Sequence, residues 1–341
     1  MVTSKGVGLA VPDWPTTFGY NMFLFPVSKW VGGILFEHTH RLIASVVGFL
    51  TIILAVWIWR AEDRQWLRNL GVIALAGVIL QGILGGLRVT MLKDEIGIFH
   101  ACIAQAFLGL LVFIALVTTQ FWHSLWLLNL TGLTGQVLWR WRALATFAIA
   151  ITVAIYGQLA LGATMRHQHR DLSILDFPTA NGAWIPDTSA AALAKINAWR
   201  DMHAFSDVTA FQIWLQMAHR FLALGIGLAI VAFCVRLWRQ RPQQDRANGA
   251  LQLHVAYATR DCNERADSLL VLWRLSILWL ILVFVQVTLG AWTIWSNKAA
   301  DIATAHVAVG AIMLSFGVTI SAISSRIIGR VRPPGAPLVL A

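Results

Sequence analysis

The chain has 341 residues, of which 58% are hydrophobic and only 12% charged. A soluble domain carries about twice that share of charge, which excludes a string of soluble domains and points to one integral membrane unit. The net charge of +10 would suit a nucleic-acid binder, but basic cytoplasmic loops account for it in a membrane protein, so nucleic acid is set aside as a partner.

The N-terminal stretch is mixed in character, is interrupted by Pro12, Pro15 and Pro26, and lacks the pattern of a signal peptide. Hydropathy then predicts seven helical spans at 33–60, 68–90, 96–121, 143–165, 209–238, 268–293 and 303–327. Each is long enough for the ~20 residues that cross the hydrocarbon core. Two long polar connections, 166–208 and 239–267, separate them. The three cysteines, Cys102, Cys234 and Cys262, form no CxxC, which argues against a disulfide framework, a zinc site and an iron–sulfur centre.

Charge sets the expected orientation. The segments after the first, third, fifth and seventh spans hold fourteen basic and six acidic residues, whereas the opposite segments hold nine of each. The positive-inside rule places the first set in the cytoplasm. The N-terminus is then outside and the C-terminus inside, in the cell's inner (plasma) membrane.

An internal repeat organises the chain. LAVPDWPTTFG at 9–19 returns as LSILDFPTANG at 172–182, matching Asp13 to Asp176, Pro15 to Pro178 and Gly19 to Gly182. Glu37-His-Thr-His40-Arg41 returns as Gln216-Met-Ala-His219-Arg220, and Gln81…Gly85 with His100 returns as Gln286…Gly290 with His306. The expected architecture is an all-α membrane protein built as two pseudo-symmetric four-helix-bundle halves. They would be related by an axis along the membrane normal. Residues 1–122 form an N-terminal half-bundle of three spans, 123–142 a cytoplasmic linker, 143–330 a C-terminal four-helix bundle, and 331–341 a cytoplasmic tail. The second half has a span before its Asp-aromatic-Pro-Thr loop. The matching helix of the first half would lie before residue 1, so the natural product is expected to begin further upstream or to have a truncated first half.

Glu37 and His40 share a helix face, and a carboxylate inside a membrane helix marks a functional site by default. His40, His100, His219 and His306 all lie toward the outer ends of their spans and fall into two repeat-related pairs, His40 with His100 and His219 with His306. Zinc wants more protein ligands than these pairs offer. Heme iron needs only one or two axial imidazoles and an apolar cavity. Gly82, Gly85, Gly86, Gly162 and Gly290 would admit a flat ligand or a neighbouring helix. Arg41, Arg88, Arg166 and Arg220 could pair with heme propionates. His38 is expected to point away from the site, His123 and His254 to be cytoplasmic, and His167, His169 and His203 to be loop residues.

These motifs together resemble the heme A synthase family: PDWP at 12–15, ExxHR at 37–41, QGxLGG at 81–86, His100, QxxHR at 216–220, Gln286…Gly290 and His306. The resemblance implies eight spans in two four-helix halves and oxidation of the C8 methyl of heme O to a formyl group, giving heme A for cytochrome oxidase. It implies that Glu37, His40 and His100 form the catalytic, substrate-heme site. His219 and His306 would ligate a heme b, with all four histidines as iron ligands and Arg41 and Arg220 as cofactor-binding residues. The implied partners are heme O and an electron donor, a quinol or a redox protein. Heme O synthase, cytochrome oxidase assembly factors and a second copy of the chain are further partners compatible with it. The cysteine pair found in the outer loops of some members is absent. A missing first helix would remove one wall of the catalytic half and impair the enzyme. The rival reading is a bis-histidine b-type cytochrome that moves electrons without modifying heme. It leaves Glu37 beside its counterpart Gln216 unexplained. A transporter with parallel repeats is a further rival.

Overall fold

The computed structural model describes residues 10–127, 135–167, 172–239 and 255–328. The described chain is α-helical, with isolated β-bridges only at Thr17–Tyr20 and Ala180–Ala183. The helices are α1 (Gly32–Ala61), α2 (Gln65–Met91), α3 (Asp94–Val117), α4 (Gln120–Leu127), α5 (Gly135–His167), α6 (Ala190–Met202), α7 (Ala210–Arg239), α8 (Val255–Trp295) and α9 (Ala300–Ile328). Seven of them, all but α4 and α6, are long and apolar enough to cross a membrane. They coincide with the seven spans expected from hydropathy, and the protein is a multi-pass α-helical membrane protein.

The faces of these helices are arranged for lipid rather than water. In α1 the buried residues are Glu37, His38, Arg41, Thr51, Ala55 and Ile58, a stripe at helical spacing that includes the polar residues. Ile43, Val46, Phe49, Leu50, Ile53 and Trp57 are exposed. Apolar side chains outward and polar ones inward is what a hydrocarbon solvent selects.

Local chemistry sets the helix ends. The α1–α2 corner is held by Glu62, whose carboxylate accepts from Arg64 Nε at 2.7 Å and Nη2 at 2.6 Å. The side-chain bonds from Arg64 hold the Glu62 carboxyl down at about 2. Leu92, in the left-handed region at φ 54°, ends α2 by returning its N–H to Arg88 O. Asp94 and Glu95 occupy the first turn of α3, where negative charge complements the helix dipole. Ser189 caps α6 by accepting from Ala192 N–H.

Three helix limits differ from expectation. The third span stops at Val117, and Thr119 then caps α4 by accepting from Trp122 N–H at 3.1 Å. Within the expected 123–142 linker, residues 123–127 belong to α4 and 135–142 to α5. Hydropathy places the sixth span from 268, yet α8 begins at Val255. Its first turns are polar, so the helix runs beyond the apolar stretch that hydropathy detects. The polar connection at 166–208 contains α6.

The chain divides into two compact units, each drawing on both halves of the sequence. One contains Met1–Leu111, Tyr156–Leu224 and Phe284–Ile312; the other contains Val112–Ile155, Gly225–Val283 and Met313–Ala341. In the first, Ile58 packs on Gly71 and Phe107 on Gly77, and Ile174, Ala180, Val208, Ile213 and Met217 form a small core. In the second, Phe233 and Trp279 are fully buried and meet edge to face at 6.1 Å. Trp279 Nε1 donates to Met313 O at 3.0 Å, and Thr152 and Ser321 share a hydrogen bond at 3.0 Å.

Small residues permit this helix packing. A methyl group on Gly317 would stand 2.7 Å from Thr152 Oγ1 and 3.2 Å from Trp279, whereas one on Gly225 would meet nothing within 4 Å. Gly317→Ala is therefore expected to destabilise the detergent-solubilised protein by about 1–3 kcal/mol through overpacking. Gly225→Ala should leave the melting temperature unchanged or raise it, and equal melting of the two variants would refute this packing account.

Glu62 supplies a pH-dependent contribution. Its folded pKa of about 2 lies below the ordinary 4.5, so its contribution is complete above the unfolded value and is lost as pH falls through about 2. The melting-temperature gap between the native protein and Glu62→Gln should hold steady from pH 7 to about 5 and close toward pH 2. A gap that stays constant down to pH 2 would contradict the pairing.

Candidate functional site

The site is built on two loops that precede helices α1 and α7. In the first, Asp13 Oδ1 accepts from Phe18 N–H at 2.8 Å, and Oδ2 accepts from Gly19 N–H at 2.9 Å and from the Thr16 hydroxyl. In the second, Asp176 accepts from Asn181 N–H at 2.7 Å, Gly182 N–H at 2.9 Å and the Thr179 hydroxyl at 2.7 Å. Phe18–Gly19 and Asn181–Gly182 are both left-handed pairs, at φ 50° and 76° and at φ 53° and 80°. The second residue of each tight turn is the glycine that tolerates it. Trp14–Pro15 and Phe177–Pro178 are both cis. Burial pushes each aspartate pKa up, but the bonds from the glycine N–H, the threonine hydroxyl and the neighbouring N–H outweigh it, and both are lowered.

An arginine ties each loop to its helix. Arg41 Nη1 donates to Asp13 O at 2.7 Å and Thr16 O at 2.9 Å, and Nη2 donates to Val11 O and Glu37 Oε1, both at 2.9 Å. Arg220 donates to Thr179 O at 2.8 Å and Asp176 O at 2.7 Å. Two of the four arginines expected to pair with propionates, Arg41 and Arg220, thus have their terminal nitrogens on loop carbonyls. Glu37 Oε2 accepts from Val11 N–H at 3.1 Å. Its counterpart Gln216 accepts from Ile174 N–H at 2.8 Å and donates to Ile174 O at 3.2 Å. Both side chains are buried.

Around these anchors stand the four histidines. His40 is exposed, and His100, His219 and His306 are half-buried. His40 and His100 are electrostatic neighbours, as are His219 and His306. Gln81 Nε2 donates to His100 O at 3.1 Å, and Gln158 Nε2 donates to His219 O at 2.9 Å. Gln286 Nε2 lies 3.5 Å from His306 Nε2. One turn after each glutamine comes a glycine facing the imidazole: Gly85 toward His100, Gly162 toward His219 and Gly290 toward His306. The Nδ1 atoms of these three histidines are buried without a hydrogen-bond partner.

The motif QGxLGG resolves into two tasks. Gly85 meets His100, whereas the Trp14 indole lies against Gly86 where a side chain would stand. The residue matching Gly86 in the second repeat is Ala291, and the aromatic matching Trp14 is the smaller Phe177. Gly97 at the start of α3 is overlaid by Arg88 and His167.

Sequence reasoning missed the Gln158–Gly162 pair, although its spacing repeats Gln81–Gly85 and Gln286–Gly290 and was open to detection. It also treated His38 and His167 as peripheral. His38 is fully buried, 3.3 Å from Thr17 Oγ1 through Nδ1 and in ring contact with Phe25 and Trp30. His167 ends α5 and is buried. His203 stacks on Trp199 at 4.0 Å, and His123 is exposed. His169 and His254 lie outside the described residues.

The donor set suits a heme better than a bare ion. Among the described residues no group of three or more His, Cys, Asp or Glu could hold a metal ion, whereas paired imidazoles are what a heme iron takes. The profile of a family described as cytochrome oxidase assembly protein (COX15-CtaA) matches residues 1–262. The chain belongs to this family, that of the heme A synthases. It is 31% identical over 201 residues to the heme A synthase of Shouchella clausii, covering 57% of this chain and 61% of the relative. For the heme A synthase of Halalkalibacterium halodurans the figures are 29% over 189 residues, 54% and 58%. The chain thus spans less than two thirds of these two relatives. A longer match, 23% identical, covers 90% of this chain and 79% of the heme A synthase of Geobacillus kaustophilus.

Glu37→Ala leaves the Val11 N–H without its acceptor, a cost of about 1–3 kcal/mol for a buried donor, and should open residues 10–19 to protease. Glu37→Gln should leave that loop protected, as Gln216 protects 172–182. Limited proteolysis of the solubilised protein distinguishes them, and equal cleavage of both variants would count against this role.

Proposed function

We propose that this protein oxidises the C8 methyl of heme O to a formyl group, producing heme A for cytochrome oxidase. The observation that carries the reading is the unequal pair of histidine sites. Both have two imidazoles, but only the first has a carboxylate, Glu37, one turn from its histidine, where the second has Gln216. In this reading His40 and His100 hold the substrate heme and His219 and His306 hold a heme b. The family membership and the relatives' name, heme A synthase, support it. The orientation expected from charge places both sites toward the outer face of a bacterial plasma membrane. A quinol or a redox protein is the electron donor in this reading, dioxygen is the oxidant and supplies the formyl oxygen while its remaining oxygen leaves as water, and N-terminal residues 1–122 form the catalytic half.

Bound heme supplies the redox chemistry at its iron. The chain supplies position and charge. The imidazoles of His40, His100, His219 and His306 would hold the iron. Glu37 is held between Arg41 and the Val11 N–H, so its carboxylate presents a fixed negative charge. Such a charge stabilises a cation developing at a reacting methyl carbon, or accepts its proton.

The test is pigment extraction from the native protein co-expressed with a heme O source. Heme A should appear in the extract, and Glu37→Gln should retain its hemes yet give at least tenfold less heme A. Extracts holding only protoheme and unchanged heme O would overturn the proposal in favour of a cytochrome that only moves electrons.

A further inference from the structure

We infer that Gln81–Gly85, Gln158–Gly162 and Gln286–Gly290 are three copies of one seat that fixes the ring orientation of His100, His219 and His306; the inference rests on the heme reading above. In each copy the glutamine and glycine are four residues apart, on one face of a helix, and that face meets a histidine on another helix. In two copies the glutamine amide donates to the main-chain carbonyl of the histidine itself, at 3.1 Å for His100 and 2.9 Å for His219. It therefore sets the height of the histidine on its helix. In the third the amide reaches the ring, at 3.5 Å from Nε2.

The glycine sets the ring. A methyl group on Gly85, Gly162 or Gly290 would stand 3.5, 3.3 or 3.1 Å from the Cε1 of its histidine, and 4.0, 3.9 or 3.7 Å from Nδ1. The Cε1–Nδ1 edge thus rests on Gly85 and Gly162, while His306 meets Gly290 by its Cε1 corner, with Nε2 at 3.9 Å beside Nδ1. The Nδ1 atoms are buried there with no hydrogen-bond partner. An imidazole held by that edge is left with Nε2 as the nitrogen it can offer to an iron; at His306 an iron would have to take Nε2 from the Gln286 amide, which lies 3.5 Å from it. A seat of this kind selects the ligating nitrogen and the plane of the ring together, as the second partners of metal-bound histidines do elsewhere. Here steric contact does what a hydrogen bond usually does.

The contacts grade the expected effects. A methyl at 3.1 or 3.3 Å forces the ring to move, while one at 3.5 Å is ordinary contact. The full-length native protein, purified with its hemes, and its Gly290→Ala, Gly162→Ala and Gly85→Ala variants are compared by total heme, absorption spectrum and carbon monoxide binding. Gly157→Ala is the control, because nothing lies within 4 Å of a methyl there. Total heme should stay within about twofold. The share of heme that binds carbon monoxide should rise in the order Gly85→Ala, Gly162→Ala, Gly290→Ala, as a displaced imidazole opens a coordination position.

Gln158→Leu removes the amide donor without adding bulk at the ring. It should shift the spectrum in the same direction, and it carries the test should a glycine variant fail to fold. Native spectra and carbon monoxide binding in Gly290→Ala and Gly162→Ala, or in Gln158→Leu where those do not fold, would overturn the seat while leaving the heme reading standing. A native protein without a Soret band would overturn both.

Discussion

Loop backbone at the end of a membrane bundle has no helical ladder to satisfy its carbonyls, and each unsatisfied group there is costly. The structure meets this constraint with guanidinium groups, Arg41 for the first loop and Arg220 for the second, where Arg200 adds a bond to Leu172 O at 3.1 Å. Arg41 gathers the carbonyls of Val11, Asp13 and Thr16, and Arg220 gathers those of Asp176 and Thr179. The loops are shaped to present them. Asp13 and Asp176 fold the chain onto its own N–H groups, so the carbonyls that remain converge on the helix.

The position of the histidines follows from that anchor. His40 and His219 immediately precede the anchoring arginines, so the helical turn that carries each imidazole is also the turn fastened to the loop. In the first loop the connection continues. Trp14 lies on Gly86 of α2, and the preceding residue, Gly85, faces His100. One loop therefore sets both members of a histidine pair, His40 through Arg41 and His100 through Trp14 and the double glycine. Changes within the loop should act on these histidines although the loop carries none of them.

Hydropathy was a sufficient guide to the seven spans because a bilayer demands long apolar runs whatever the tertiary structure. It failed at α8, where the helix outlasts its apolar stretch and starts at Val255, and at Thr119, where a side-chain cap divides an apolar run. The paired histidines were legible through the repeat. Their seats were only partly so: Gln81–Gly85 and Gln286–Gly290 stood out by matching each other, whereas Gln158–Gly162 seats its histidine from a helix that has no counterpart in the compared stretch. Arg41 and Arg220 were legible as important, but their part in holding the loops was not. A guanidinium near a presumed anion suggests a salt bridge, and nothing in the sequence shows that loop carbonyls already occupy its terminal nitrogens.

The difference between Glu37 and Gln216 looks in the sequence like the loss of an ionisable group. The structure shows both side chains serving the same peptide position, Val11 in one loop and Ile174 in the other. An amide both accepts and donates, so Gln216 satisfies the N–H and the carbonyl of Ile174 alone. A carboxylate only accepts, so Glu37 takes the Val11 N–H and leaves the carbonyl to Arg41. The carboxylate solution uses two side chains where one would do, and it buries a charge pair, which is weak evidence for added stability. Holding the loop therefore gives no reason to prefer glutamate at position 37. The charge at position 37 also neutralises the buried Arg41, and it is what the proposed reaction would use beside His40, one turn away.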